Sequence, residues 1–181
     1  MFNFKKISKE LDTQYFYHIK PNENIKELIP LSILEKENKS AYNKAIKKYE
    51  GREGHLNKKI KLLDATWKDC INFSTINPIL LFDLAKLLNL KNNKYNIGKK
   101  VLKFPISALE DKKIVLYNDE KETYSKLNIN KYKELKEIPK KTIDYYVKCM
   151  KSNEDPLAFA YIPHILCLDP IKISKAKEII Y

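Results

Sequence analysis

Three histidines, a single arginine and one cluster of hydroxyl and amide side chains are the residues of this 181-residue chain with chemistry beyond packing. His18 lies in the aromatic run YFYHI, His55 follows Gly51-Arg52-Glu53-Gly54, and His164 follows Pro163 inside an apolar stretch. Imidazole is the side chain whose unperturbed pKa lets it give or take a proton near neutrality. His18, His55 and His164 could therefore supply the general acid and base of a nuclease. They could also gather around zinc, although no His-x-x-x-His spacing pairs any two of them. Arg52 and His55 share one face if the turn between them is helical, an arrangement that suits contact with a nucleic-acid phosphate. Each also has a plainer reading: a strand histidine between aromatics, ordinary surface residues, and a buried, hydrogen-bonded histidine.

The stretch Asp69 to Leu90 must position much of this chemistry. Cys70 to Ser74 alternates and ends in β-favouring residues, so it reads as a short strand. Asn77 offers a side-chain oxygen to the orphan N–H groups of a helix, and Pro78 fits its first position. From Ile79 to Leu90 only Asp83, Lys86 and Asn89 are polar. A helix so apolar belongs in the core, with Leu81, Leu84 and Leu88 among the least exposed residues. Phe73, Ser74, Thr75 and Asn77 then line the mouth of a helix N-terminus, where a phosphate or small anion is favoured.

Around this unit the pattern predicts a strand at Tyr15 to Ile19 and a short helix at Ile25 to Ile29, capped by Asn22 or Asn24. An amphipathic helix follows over Ser32 to Tyr49, then a second helix or turn at His55 to Leu63. After a polar loop, KNNKYNIG, strands are expected at Lys100 to Ile106 and Lys113 to Tyr117. Pro105 marks an edge position or a strand end. Lys121 to Ile138 is polar with weak order, Pro139 opens a helix to Met150, and Leu157 to Ile162 and His164 to Leu168 read as strands. Glu178 to Tyr181 could close a sheet edge. With no internal repeat or linker, the expectation is a single α+β domain built on a central mixed or split β-sheet and one buried helix.

The net charge of +12 invites partnership with DNA or RNA, because clustered cations release counterions from phosphates. Lysine supplies almost all of that charge, however, and an AT-rich genome would produce the same bias. Cys70, Cys149 and Cys167 lack C-x-x-C spacing and read as reduced, buried thiols of a cytoplasmic protein. No apolar run approaches the ~20 residues of a membrane span. With three glycines in all, a glycine-rich phosphate loop is excluded.

Four segments in order resemble the DNA-targeting ADP-ribosyltransferase toxins of the DarT type: YFYHIKPNENIKELIPLSIL, DCINFSTINPILLFDL, KKVLKFPISALEDKKIVLYND and DPLAFAYIPHILCLDPIKI. The resemblance implies an ADP-ribosyltransferase-like fold using NAD and no metal, in a bacterial toxin or phage-defence setting. It implies that Tyr17 and His18 meet the NAD ribose and that Phe73, Ser74, Thr75 and Asn77 surround the cofactor. The chain departs from that pattern at Phe159, where the family carries its catalytic glutamate. Glu154 is then the acid expected to work with His18, since ribosyl transfer needs a carboxylate beside the positive centre that develops. The alternative is a catalytically inert basic module that holds nucleic acid, an antitoxin or another acidic protein.

Overall fold

The computed structural model describes residues 15–21, 25–90, 100–154 and 156–181. The expected cap at Asn22 or Asn24, the segment before Tyr15 and the polar loop KNNKYNIG after Leu90 lie outside them. Alternating aromatics form β1 (Tyr15–Ile19), as the sequence predicts. The expected helix after it is instead β2 (Glu27–Leu28), which pairs with β10 (Ile171–Lys172). A two-residue strand needs a distant partner, and no local pattern reveals one.

The long helix expected to Tyr49 is broken into α1 (Leu31–Glu37) and α2 (Lys39–Ile46). Asn38 causes the break: it leaves helical geometry and its side chain accepts from the Ala41 N–H at 3.0 Å, starting the second helix. Where a second helix or turn is expected over His55 to Leu63, the chain forms short 3-10 turns and the small hairpin β3 (Lys59–Ile60) with β4 (Ala65–Thr66).

The central unit folds as read. β5 (Ile71–Ser74) leads to α3 (Pro78–Leu87), where Asn77 accepts from the Ile79 N–H at 3.1 Å and Pro78 sits in the first turn. Leu81, Phe82, Leu84 and Ala85 are buried. Leu88 is only half-buried, because the helix ends before it and Leu87 is already 47% exposed.

β6 (Lys100–Pro105), β7 (Ile114–Asn118), β8 (Thr123–Ser125), α4 (Lys140–Ser152), β9 (His164–Cys167) and β11 (Lys177–Ile180) complete the set. Pro105 ends β6, which β11 flanks. The polar stretch after Lys121 is ordered, holding β8 and a 3-10 segment over Ile129–Lys136 whose Tyr132 and Lys136 are buried. Leu157 to Ile162 is a turn, not a strand.

Seven strands join in the order β11-β6-β1-β5-β9-β7-β8. Every ladder is antiparallel, so the sheet is not mixed. One face carries Phe16, Phe73, Leu102, Phe104 and Ile165 under Leu28, Tyr132 and Ile171. The other is covered twice. α3 and α4 lie over Tyr17 and Val101, while Tyr49, Ile60 and Trp67 lie over Val115, Tyr117 and Leu166. The row of sheet residues between the two covers, beside the small buried cluster of Ile76, Leu81 and Ile162, forms a seam in the packing.

Candidate functional site

The register places one row of side chains across all seven strands: Lys177, Lys103, Tyr17, Ser74, His164, Tyr117 and Tyr124. Residues paired across strands share a face, so Ser74, His164 and Tyr117 all project toward the seam. Trp67 packs against His164 with ring centres 6.5 Å apart, and Phe159 packs against the same ring at 6.2 Å. His55 packs edge-on against the same indole at 4.3 Å. Two imidazoles that are 109 residues apart in sequence therefore flank one tryptophan.

His164 Nδ1 is 2.6 Å from the Ile162 carbonyl oxygen. A carbonyl only accepts, so the proton sits on Nδ1 and Nε2 keeps its lone pair. No described residue hydrogen-bonds Nε2. Burial holds His164 below the usual histidine pKa, with the Asp119 carboxylate opposing. His55 is also held low, by burial first and then by Lys58 and Arg52, against Asp119 and Glu122. The charge of Asp119 thus acts on both rings. It also helps burial raise the Tyr117 phenol, to which Lys58 Nζ donates at 3.3 Å.

A strained turn brings Phe159 to His164. Tyr161 holds a φ of 63°, and its N–H donates to Asp119 Oδ2 at 2.6 Å. A bulky side chain in that left-handed region costs on the order of 1–2 kcal/mol. The turn is secured further by Tyr146, whose hydroxyl donates to the Ala158 carbonyl, and by Thr142, bonded to the Ala160 carbonyl.

The sheet opens beside this seam. β1 meets β5 at a single register pair, Tyr17 with Ser74, whereas β1 pairs with β6 along its whole length. His18 and Ile19 therefore have no ladder partner on β5, although Ile71 to Phe73 continue alongside. At this opening two buried polar atoms have no partner among the described residues: His18 Nδ1 on the Phe73 face of the sheet and Asn72 Oδ1 on the Tyr49 face. Burial pushes His18 down to about 4, with Lys48 adding to the effect. Lys48 also lowers His164, so the charge of this exposed lysine acts on both histidines. Next in the chain, Tyr49 accepts from the Trp67 indole N–H at 3.0 Å and from Asn72 at 3.5 Å.

The other expected site residues have mixed fates. Phe73 is fully buried and packs edge-on against Phe16 and His18. Ser74 donates to the Ile76 carbonyl at 2.7 Å, and Thr75 Oγ1 donates toward the Leu135 and Pro163 carbonyls at 2.9 and 3.1 Å. Asn77 is occupied as the cap, and the first-turn N–H groups of Ile79 and Leu80 are bonded to it. The expected anion cradle at α3 has therefore already used these donors. Tyr17 is buried, its phenol pushed up to about 12. Arg52 is exposed and donates to the Lys48 carbonyl at 2.8 Å, close enough to act on His55. Glu154 is exposed where α4 ends, its N–H bonded to the Cys149 carbonyl, and no described residue bonds its carboxylate.

Asp119 and Lys58 were not singled out by the sequence; the only hint is that Asn118-Asp119 closes a strand. Lys136 was missed as well. It is 6% exposed and bonds to the Tyr15 carbonyl and the Tyr132 hydroxyl, with its ammonium over the Tyr17 and Tyr132 rings. Among the described residues no His, Cys, Asp and Glu side chains group to hold a metal ion. Chemically, the seam offers proton transfer by two histidines beside cations. The opening offers two unpaired hydrogen-bonding atoms. No family model, curated protein or solved structure matches the chain.

Proposed function

We propose that the chain is an ADP-ribosyltransferase-like protein that takes NAD, or a dinucleotide of the same build, at the opening between β1 and β5 and acts on nucleic acid. The carrying observation is the buried His18 Nδ1 there, which has no partner among the described residues. An unpaired buried polar atom costs about 1–3 kcal/mol, and a ligand hydroxyl that bonds to it recovers that cost. A ribose hydroxyl both donates and accepts, so it suits the unpaired imidazole nitrogen of His18. Lys48 supplies positive charge for a pyrophosphate beside it. NAD would bring a ribosyl group already bonded to a good leaving group; this chain's part is to hold the ribose and shield it from water. The toxin or phage-defence setting rests on the sequence resemblance alone.

A second reading, the inert basic module, is favoured by Phe159. Its ring lies against His164 where the resemblance calls for an acid, and Glu154 stands in solvent. Thermal melting with and without NAD separates the two. A ligand at ~100 times its dissociation constant adds about 2.7 kcal/mol to stability. The proposal expects a rise in melting temperature that His18→Ala reduces. A flat profile in the unaltered protein overturns it in favour of the module.

A further inference from the structure

Among the described residues the seam contains proton-transfer groups and cations but no available protein nucleophile. Ser74 is held in its turn, the Tyr117 phenol is disfavoured from ionising, and Cys70 and Cys167 are buried with thiols pushed up to about 12 and about 11. Such a centre works best on a substrate that carries its own nucleophile. An RNA strand does, because each 2′-hydroxyl lies next to the phosphate it can attack, and that proximity removes the entropic cost of bringing in a second molecule.

We infer that His164 and His55, with Asp119 and Lys58, form a proton-transfer centre that cleaves single-stranded RNA. His164 Nε2 takes the proton of a ribose 2′-hydroxyl while that oxygen bonds to the adjacent phosphorus. The bond from phosphorus to the 5′-oxygen of the next nucleotide breaks, its electron pair stays on that oxygen, and the His55 imidazolium gives it a proton. The products are a 2′,3′-cyclic phosphate and a free 5′-hydroxyl. His164 ends protonated and His55 neutral, and solvent resets both. Lys58 lies beside the developing phosphorane charge, and Asp119 balances whichever ring is cationic. Three independent features support the assignment. The tautomer of His164 leaves Nε2 as an acceptor, the second imidazole shares its indole wall, and the strained Tyr161 turn is tied by Asp119 itself. Backbone strain of that kind concentrates at working sites. The inference does not rest on NAD.

The test uses the full chain and a fluorescent RNA oligonucleotide in excess EDTA, with all-DNA and 2′-O-methyl versions as controls. RNA alone should be cut, leaving 2′,3′-cyclic phosphate ends. His164→Gln and His55→Gln should each slow cleavage by about 100-fold or more, with the circular dichroism and melting of the unaltered protein. Should either variant fail to fold, the pH–rate profile of the unaltered protein decides. Burial first, and then Lys58, Arg52 and Lys48, press the rings down against Asp119 and Glu122, so the rate should peak below pH 7. Uncut RNA, equal cutting of DNA, 3′-hydroxyl products or full activity in both folded variants overturns the inference. Adding NAD to the same tube keeps the two readings apart: mass added to an intact strand supports the transferase, and if no strand is cut the RNA reading falls.

Discussion

The carboxylate of Asp119 accepts the main-chain N–H of Tyr161 at 2.6 Å, tying the end of β7 to a backbone turn that Tyr161 holds at positive φ. The bond crosses from the sheet to the loop that delivers Phe159 and His164, so it fixes one wall of the seam.

Asp119→Ala should therefore destabilise the fold by about 1–3 kcal/mol, the cost of leaving the Tyr161 N–H without its partner. Tyr161→Gly in that background should recover about 1 kcal/mol, because glycine enters the left-handed region freely. Urea denaturation of the two variants and the double variant measures both. An Asp119→Ala chain as stable as the parent would mean the bond does not hold the turn.

Lys136 gives a pH prediction with a definite sign. Burial first, and Lys103 second, push its ammonium down to about 7, against 10.5 in a free chain. Between those values the unfolded chain binds a proton that the folded one lacks, so stability rises with pH from about 7 to 10.5 and is lost as pH falls through that window. Lys136→Met should flatten this dependence. The stability difference between variant and parent should change by close to 1.4 kcal/mol per pH unit inside the window. Parallel stability curves at pH 7 and pH 9.5 would rule out the shift.

Trp67 is the chain's only tryptophan and touches His55 edge-on, with His164 nearby. Protonated imidazole quenches indole emission. Acid titration should therefore dim the fluorescence with a midpoint below 6.5, because burial holds both histidines low. His55→Gln should remove most of the change, and a midpoint at or above 6.5 would contradict the surroundings described for the two rings.

Leu84 lies beneath the helical cover and Leu87 points outward on the same helix. Leu84→Ala should cost about 2–5 kcal/mol through lost burial and the cavity it leaves. Leu87→Ala should stay within about 0.5 kcal/mol. Denaturant midpoints of the pair check the orientation of α3.

What the sequence showed of this fold follows from how local the cause was. β1 and α3 were legible because strand alternation and an Asn-Pro cap act within a few residues. Leu88 was misjudged because the apolar pattern runs past the turn where α3 stops. The split at Asn38 and the β2–β10 pair turned on one side chain and on a distant strand. The site divides the same way. His55 and His164 were visible as residue types, but their meeting at Trp67 depends on the pairing of β7 with β9 and on the 3-10 turns above it. Asp119 gave no signal of its own, since a carboxylate after a strand is ordinary until the Tyr161 turn folds onto it. Leu157 to Ile162 looked like a strand because its composition is apolar, and only the positive φ at Tyr161 and the bonds to α4 make it a turn.

The lone register pair between Tyr17 and Ser74 also has a mechanical meaning. β11, β6 and β1 form one continuous ladder, and β5, β9, β7 and β8 form another. Under a pulling force, or in slow amide exchange, the line between them is where the sheet should yield first. The two ladders would then behave as plates on a narrow hinge, and the overlying contacts of α3, α4 and the Ile129–Lys136 segment would act as the springs that set its stiffness.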